Sequence, residues 1–149
     1  MKDQNIRVPP VGLIGLGLMG RGIASCLLAH GVDVIAYNRT ASRARASVHH
    51  IEETLQEMVR RRLLTRARMR GWRDRFHLVR SISELAPAHF VIETVKEDLE
   101  LKRQIYDELE AAVGDEAVIA SNTSSLPISV LQCGRKHPGR FIGMHWGEP

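Results

Sequence analysis

The chain has 149 residues, 44% apolar and 26% charged, with a net charge of +4, which is typical of one folded domain and unlike a disordered or collagen-like chain. No stretch approaches the roughly 20 consecutive apolar residues that cross a bilayer, and the first residues lack the apolar core of a secretion signal. The two cysteines, Cys26 and Cys133, exclude a disulfide framework, and the seven histidines lack metal-ligand spacing. We therefore expect a cytoplasmic protein that binds no membrane and no metal.

Strands and helices alternate from the start of the chain. Residues 11–14 form the first predicted strand and run into a glycine cluster. A helical pattern follows over residues 20–30, and Gly31 ends it. Residues 33–37 are apolar and β-branched in pattern, which predicts a second strand directly after this first helix.

A long helical excursion separates the second and third predicted strands. Between 42 and 69, apolar residues recur every three or four positions, which predicts one amphipathic helix or two with a break near Leu64 or Thr65. The remaining predicted elements, in chain order, are a weak strand at 77–80, a helical turn that Ser83 opens and Pro87 closes, a strand at 90–95, a helix at 100–113 that Gly114 ends, a strand at 117–120, a short helix at 128–132 and a strand at 141–144. This alternation is typical of a doubly wound α/β fold with a mostly parallel sheet of about six strands.

The first strand and the first helix are joined by a glycine-rich turn. It fits the pattern G-x-G-x-x-G and consists of Gly15, Leu16, Gly17, Leu18, Met19 and Gly20. A strand before this pattern and a helix after it are the context in which it binds a dinucleotide. The first glycine allows the tight turn, the second lets a pyrophosphate approach the backbone, and the third lets helix and strand pack. We interpret residues 1–149 as a dinucleotide-binding domain of Rossmann type, in which this turn contacts the cofactor.

The end of the second strand is where such folds read the adenosine ribose. An Asp or Glu there selects NAD through the ribose 2′-hydroxyl. In this chain the place is taken by Asn38, followed by Arg39. Asn removes the carboxylate that repels a 2′-phosphate, and Arg39 is able to pair with one, which favours NADP over NAD. Alternatively, Arg39 is only the first charge of an arginine-rich segment.

Positive charge is concentrated in residues 39–80. This segment has twelve arginines and four acidic residues, a local charge of +8, so the rest of the chain carries −4. Such a segment on a mildly acidic body indicates a partner that bears phosphate groups. Nucleic acid is the weaker interpretation, because the arginines are not interleaved with aromatic residues.

Three further segments resemble a known enzyme family. They are residues 90–102 (FVIETVKEDLELK), residues 120–129 (ASNTSSLPIS) and residues 141–145 (FIGMH). Together with the glycine turn they resemble the nucleotide-binding domain of the L-3-hydroxyacyl-CoA dehydrogenases, over about residues 8–149. The first half is also similar to the NADP-dependent 6-phosphogluconate and β-hydroxyacid dehydrogenases. A non-catalytic dinucleotide-binding module is the third interpretation left open.

The resemblance implies an oxidoreductase that interconverts L-3-hydroxyacyl-CoA and 3-oxoacyl-CoA by hydride transfer, with NAD as the usual cofactor. It makes His145 the general acid and base, a role that suits an imidazole near neutral pH. It places Ser124 against the substrate oxygen near the nicotinamide, and Asn122 at the thioester end or within its own loop. It also implies that the complete enzyme is a homodimer.

The same resemblance implies further contacts with cofactor and substrate. Glu97 and Lys102 match positions that contact the ribose and nicotinamide side of the cofactor, and Thr54 and Arg61 match positions that touch coenzyme A. Each residue also has a simpler interpretation. Glu97 caps the following helix, Thr54 borders the core, Arg61 lies on a solvated face, and His145 is a core histidine at the end of a strand.

The chain departs from the family pattern at three places. Asn38 replaces the usual acid. His145 is followed by Trp146-Gly147-Glu148-Pro149, where the family commonly has Phe-Phe-Asn-Pro, so that Glu148 replaces an amide. The glutamate that orients the histidine and the helical second domain of the family do not occur in this sequence. We therefore expect this chain to bind dinucleotide but to turn over hydroxyacyl-CoA poorly or not at all.

Overall fold

A computed structural model describes residues 8–147 of the chain. The strands of this part are β1 (Val11–Ile14), β2 (Val34–Tyr37), β3 (Phe76–Val79), β4 (Phe90–Glu93), β5 (Val118–Ser121) and β6 (Phe141–Gly143). Its α-helices are α1 (Leu18–Ala29), α2 (Ala41–Arg60), α3 (Arg66–Met69), α4 (Trp72–Arg75), α5 (Leu99–Ala112) and α6 (Ile128–Gln132), with 3₁₀ helices at Ile82–Leu85 and Pro138–Arg140. None of these helices has both the length and the apolar composition needed to cross a membrane.

The six strands form one sheet in the order β3-β2-β1-β4-β5-β6, and every neighbouring pair is parallel. The register pairs Val11 of β1 with Val34 on one side and with Phe90 on the other. The chain order therefore reverses between β1 and β4. In such a sheet the crevice at the carboxyl ends of these two strands is where ligands bind. The predicted doubly wound sheet of six strands is confirmed.

Helices cover both faces of the sheet, because the central strands are apolar on both sides. Leu13 of β1 packs into a core that includes Ile23 of α1 and Leu55 of α2. The next residue, Ile14, faces the opposite side and packs into a second core that includes Ile105 of α5. The two cores fix β1 and its neighbours from both faces, so the loops at the strand ends start from a rigid base.

The helical pattern at 42–69 is interrupted, as one of the two sequence alternatives expects. α2 ends at Arg60, and Arg62 then adopts a left-handed conformation with φ 60°. Thr65 starts α3, its hydroxyl accepting a backbone N–H of the first turn at 3.2 Å. Gly71, with φ +75°, turns the chain again into α4, a short helix that the apolar pattern does not predict.

Two capping assignments made from the sequence are wrong. Ser81, not Ser83, opens the 3₁₀ helix, because Ser81 and Glu84 form a reciprocal capping box. Asp98, not Glu97, caps α5, its Oδ1 accepting a backbone N–H of the first turn at 3.1 Å. The carboxylate of Glu97 is therefore available for the contacts described below.

Candidate functional site

The glycine turn forms a bare backbone cradle at the end of β1. Gly15 has φ +93°, a conformation that residues with side chains rarely adopt. Gly20 packs so closely that a Cβ atom there would lie 2.0 Å from the carbonyl oxygen of Gly15. Gly17, in contrast, has nothing within 4 Å of the place where a Cβ would be. Gly15 and Gly20 therefore shape the turn, and Gly17 leaves its outer face open to a ligand.

The start of α1 is the electropositive side of this cradle. Gly17 precedes the helix, and within the described residues no side chain caps this end and no acid lies in the first turn. The first N–H groups of a helix have no acceptor inside the helix, and the helix dipole makes them attractive to an anion. Leu18 and Met19 carry such N–H groups, whereas the side chain of Leu16 is buried in the core.

Three side chains hold the cradle in place. Asn38 accepts the backbone N–H of Leu16 on its Oδ1 at 3.1 Å and donates from its Nδ2 to the Thr40 carbonyl at 3.0 Å. The Ser47 hydroxyl donates to the Leu16 carbonyl at 2.6 Å. From the β4 side, the Thr94 hydroxyl donates to a carbonyl of the turn at 2.9 Å. Both ends of the Asn38 amide are thus bound to the backbone, which makes Asn38 a support of the turn.

A cleft of about 300 Å³ opens beside the cradle, where the strand order reverses. Gly15 and Gly17 line one wall, and Asn38 lies where the cradle meets β2. Arg39 and Arg43 line the same cleft. Arg39 lies just before Thr40, the cap of α2, and Arg43 lies in the first turn of α2, so both arginines are near the place where the adenosine ribose of a dinucleotide is expected. The cleft residues therefore suit a cofactor with an anionic backbone.

A fully buried ion pair connects β4 to α5 behind this cleft. Glu93 and Lys102 have 0% exposure, and the Lys102 Nζ lies 2.8 Å from both carboxylate oxygens. The hydroxyls of Tyr106 and Ser121 each donate to Oε2 of Glu93 at 2.7 Å. Burial and the neighbouring Glu93 carboxylate raise the pKa of Tyr106, which keeps its phenol a donor. Lys102 thus points inward, and its link to the surface is the ion pair with Glu97 at 3.4 Å.

Glu97 organises the loop that follows β5. Its Oε1 accepts hydrogen bonds from the Thr123 hydroxyl, from the Ser124 N–H at 3.1 Å and from the N–H and hydroxyl of Ser125, both at 3.0 Å. Burial acts to raise the pKa of Glu97, but the bonds from Thr123 and Ser125 and the charge of Lys102 outweigh it and lower the pKa to about 2. Glu97 is therefore ionised near neutral pH and holds this loop as an acceptor.

His145 and Ser124 line one depression of about 400 Å³ at the carboxyl ends of β5 and β6. Both residues are exposed, so His145 is not a core histidine. Asn122 connects the two segments, because its Oδ1 accepts the Trp146 N–H at 2.7 Å. The side chain of Asn122 thereby fixes the backbone next to His145 relative to the Ser124 loop. Glu148 lies outside the described residues.

Thr54 and Arg61 are exposed on α2 and at its end, and they line one groove of about 710 Å³. Thr54 also lines an adjoining depression of about 400 Å³ with Trp146, the residue after His145. A continuous surface therefore leads from the His145 segment along α2. Arg61 donates to Glu57 at 2.6 Å, and this bond is the main cause of a lowered pKa of Glu57. Glu57 also pairs with Arg60, so one carboxylate is shared by two guanidinium groups and compensates the charge of Arg61 only in part.

The structure brings the predicted site residues into two neighbouring groups, one around the glycine cradle and one around His145. Thr54 and Arg61 line a groove that leads to the second group, and Lys102 is buried away from both. Residues that sequence reasoning did not single out but that shape the site are Arg43, Ser47, Glu93 and Thr94. One signal points to such a residue in retrospect: Glu93 is a lone acid within the apolar strand predicted at 90–95.

Comparison with known proteins gives one family. Residues 10–149 match the family model described as 3-hydroxyacyl-CoA dehydrogenase, NAD binding domain. A 3-hydroxybutyryl-CoA dehydrogenase of Bradyrhizobium diazoefficiens is 35% identical over 142 residues, which are 95% of this chain and 48% of the relative. A 3-hydroxyadipyl-CoA dehydrogenase of Escherichia coli K12 is 33% identical over 144 residues, which are 97% of this chain and 30% of the relative. The chain thus spans about half, or less, of the length of these relatives.

A solved structure agrees with this match. The crystal structure of (S)-3-hydroxybutyryl-CoA dehydrogenase from Ralstonia eutropha superposes with a TM-score of 0.88 at 31% sequence identity. The superposition covers 94% of this chain and 50% of that protein. The family match over residues 10–149 includes both the glycine cradle and the segment that carries His145.

Proposed function

The chain belongs to the 3-hydroxyacyl-CoA dehydrogenase family, of which it carries the NAD-binding domain, and from this premise we propose that it serves the interconversion of L-3-hydroxyacyl-CoA and 3-oxoacyl-CoA. The observation that carries the proposal is the placement of His145 and Ser124 on one depression beside a glycine cradle that suits a pyrophosphate. A proton-transfer group and an anion-binding cradle at the same edge of the sheet are the two parts that this reaction needs.

The residues of the cradle fit a nicotinamide dinucleotide. The open face of Gly17 lets a pyrophosphate reach the amides of Leu18 and Met19, and Arg39 and Arg43 lie where the adenosine ribose would be held. When bound in this cradle, the cofactor would supply the hydride acceptor for oxidation at C3 of the substrate. NAD is the cofactor of the family, and the two arginines support acceptance of NADP as well.

His145 is the proton-transfer residue in this proposal. As the 3-hydroxyl is oxidised, an imidazole nitrogen of His145 takes its proton, and in the reverse direction it returns that proton to the carbonyl oxygen. The exposed Ser124 lies on the same depression, where its hydroxyl is available to hydrogen-bond the substrate oxygen. Asn122 acts by position, because its bond to the Trp146 N–H sets the backbone beside His145.

Glu97 and Lys102 act as a pair. Glu97 holds the Ser124 loop by the hydrogen bonds to its Oε1, while its Oε2 lies 3.4 Å from the Lys102 ammonium. We infer that Glu97 makes the contact with the cofactor on the nicotinamide side. Lys102, which has 0% exposure, acts through Glu97 by fixing its charge and direction.

The acyl-CoA is proposed to follow the groove on α2. Thr54 joins the depression beside Trp146 to the groove that contains Arg61, so the coenzyme A portion would run away from His145 along this helix. The relatives are about twice as long or longer. We propose that efficient turnover needs the part of those enzymes that this sequence does not match, and that the complete enzyme is a homodimer.

A single-turnover assay tests the proposed reaction. With the chain in excess over L-3-hydroxybutyryl-CoA and NAD present, we expect slow formation of NADH that His145→Gln lowers about a hundredfold or more. NADH binding by this variant should stay unchanged, and His89→Gln, at another exposed histidine, should keep the full rate. Equal rates of NADH formation by His145→Gln and the unmodified chain would contradict the proposal. Fast multiple turnover by the chain alone would contradict the need for a further segment.

A further inference from the structure

A cavity lined by arginines lies at the far end of the α2 groove. It has a volume of about 720 Å³ and is formed by the last turns of α2 together with α3, α4 and the turn between them. It shares Gln56 and Arg60 with the groove that contains Thr54 and Arg61. The groove and the cavity are therefore one continuous surface, which begins beside the His145 segment and ends at the arginines.

The arginines of this cavity differ in whether they already have an ion-pair partner. Four arginines and a single acid, Asp74, belong to its lining. Arg60 is paired with Glu57 at 2.5 Å, and Arg73 is paired with Glu52 at 2.6 Å. The other two arginines, 66 and 70, are exposed and form no ion pair within residues 8–147. Two guanidinium groups without an ion-pair partner in the described residues thus border a concave surface, together with one carboxylate, Asp74, that has none there either.

The floor of the cavity is apolar. Trp72 is buried there, and the guanidinium carbon of Arg73 lies 4.8 Å from the centre of its ring. Met69 also lines the cavity. A guanidinium stacked on an aromatic ring offers its outer face to a further planar group. The cavity therefore combines one exposed guanidinium, that of Arg73, with two arginines at its rim that attract a compact dianion.

We propose that Arg66 and Arg70 bind the 3′-phosphate of coenzyme A, with the adenine ring lying over the Arg73 guanidinium. This inference rests on the proposed acyl-CoA function, and it assigns the phosphate to these two arginines instead of Arg61. The physical reason is charge: Arg61 already donates to Glu57 at 2.6 Å, whereas Arg66 and Arg70 have no carboxylate partner in the described part of the chain. Arg is the side chain best suited to such binding, because its planar fork matches phosphate oxygens.

Calorimetric titration with coenzyme A and with 3′-dephospho-coenzyme A tests this assignment. The unmodified chain should bind coenzyme A at least about tenfold more tightly than the dephospho form, because the dephospho form lacks the phosphate that accepts the charge-assisted hydrogen bonds. The double variant Arg66→Ala/Arg70→Ala should bind the two forms alike. Adenosine 3′,5′-bisphosphate should bind the unmodified chain by itself and compete with coenzyme A.

A matched double variant separates a specific site from general charge. Arg45→Ala/Arg80→Ala removes the same charge at exposed positions that line none of the grooves above, and it should keep the preference for the 3′-phosphate. NADH binding should be unchanged in both double variants, which shows that they fold. Equal binding of the two coenzyme A forms by the unmodified chain, or equal losses in the two double variants, would overturn the inference alone. If the unmodified chain binds neither form, the inference fails together with the proposed acyl-CoA function.

Discussion

The ammonium of Lys102 and the carboxylate of Glu93 face each other inside the protein, with Nζ 2.8 Å from both oxygens and no solvent contact for either side chain. The carboxylate also accepts the N–H of Val95 and the hydroxyls of Tyr106 and Ser121. One buried charge pair thus ties together the ends of β4 and β5 and the first turns of α5. The loops that carry Glu97 and Ser124 leave from these same ends.

Removal of the lysine charge should be strongly destabilising. Lys102→Met leaves the Glu93 carboxylate buried without a counter-ion, and we expect the free energy of unfolding to fall by about 3–5 kcal/mol in urea titrations. The double variant Glu93→Gln/Lys102→Met should lose less unfolding free energy than Lys102→Met. The amide oxygen of the introduced glutamine still accepts hydroxyl hydrogen bonds, and no charge is left buried without a partner. Lys96→Met, at an exposed lysine, should change stability by less than about 0.5 kcal/mol. A larger loss of unfolding free energy in the double variant than in Lys102→Met would show that the stranded Glu93 charge is not the cause of the destabilisation.

Glu97 should contribute stability that disappears in acid. Its pKa lies at about 2 in the folded chain, below the ordinary value of 4.5. A carboxyl group with a lowered folded pKa stabilises the fold above its unfolded pKa, and that contribution is lost as the pH falls through the folded pKa. The stability difference between the unmodified chain and Glu97→Gln should therefore be largest above pH 4.5 and shrink toward pH 2.

The hydrogen-bond donors of the loop provide the control for this pH dependence. Thr123→Val/Ser125→Ala removes donors that lower the pKa of Glu97. In that background the difference made by Glu97→Gln should vary less between pH 6 and pH 3, as measured by urea unfolding at each pH. A difference that stays constant with pH in the unmodified chain would contradict the prediction.

The strands could be located from the sequence, because each is a short apolar run bounded by turn residues. Every strand lies within two residues of its predicted place. The segment between α2 and β3 was harder, since the apolar period continues through Leu63 and Met69 while the chain has already left the helix at Arg62. A left-handed residue other than glycine gives no signal in a hydrophobic pattern. Gly71 is visible in the sequence as a break, but the pattern does not show that a further short helix, α4, follows it.

The site was predictable as a set of residues but not as a set of contacts. Asn38 is predicted to lie where the ribose is read and lines the cleft there, but the sequence does not show that its amide also bonds to Leu16 and Thr40. The pairing of Glu93 with Lys102 joins a strand end to a helix, and only the packing of α5 on the sheet brings them together. The sequence shows which residue types lie near the ends of the strands. Only three-dimensional packing determines which of their charges are paired and which are available to a ligand.

Cofactor preference should depend on Arg39 and Arg43. Both line the cleft beside the cradle, so Arg39→Ala/Arg43→Ala should weaken NADPH binding about tenfold or more and change NADH binding by less than about threefold. Asn38→Asp should weaken NADPH binding more than NADH binding, because it adds a carboxylate that repels a 2′-phosphate, while the loss of the Nδ2 donor to the Thr40 carbonyl affects both cofactors. Parallel calorimetric titrations with NADH and NADPH measure both effects, and Arg45→Ala is the matched control. Equal losses of affinity for NADH and NADPH would show that the arginines contact a group that both cofactors contain and not the 2′-phosphate.

Three glycines around the start of α1 separate ligand binding from packing. Gly17 has open space around it and φ −68°, so Gly17→Ala should fold with unchanged stability but lose NADH binding, because the added methyl occupies the place of the pyrophosphate. Gly20→Ala should cost more than about 2 kcal/mol of stability, since its Cβ would meet the Gly15 carbonyl at 2.0 Å. Gly22→Ala, on the exposed side of the same helix, should raise the free energy of unfolding by about 0.5–1 kcal/mol and leave NADH binding unchanged. Urea unfolding and calorimetry on the three variants measure both properties, and NADH affinity in Gly17→Ala equal to that of the unmodified chain would mean that the cofactor does not approach this turn.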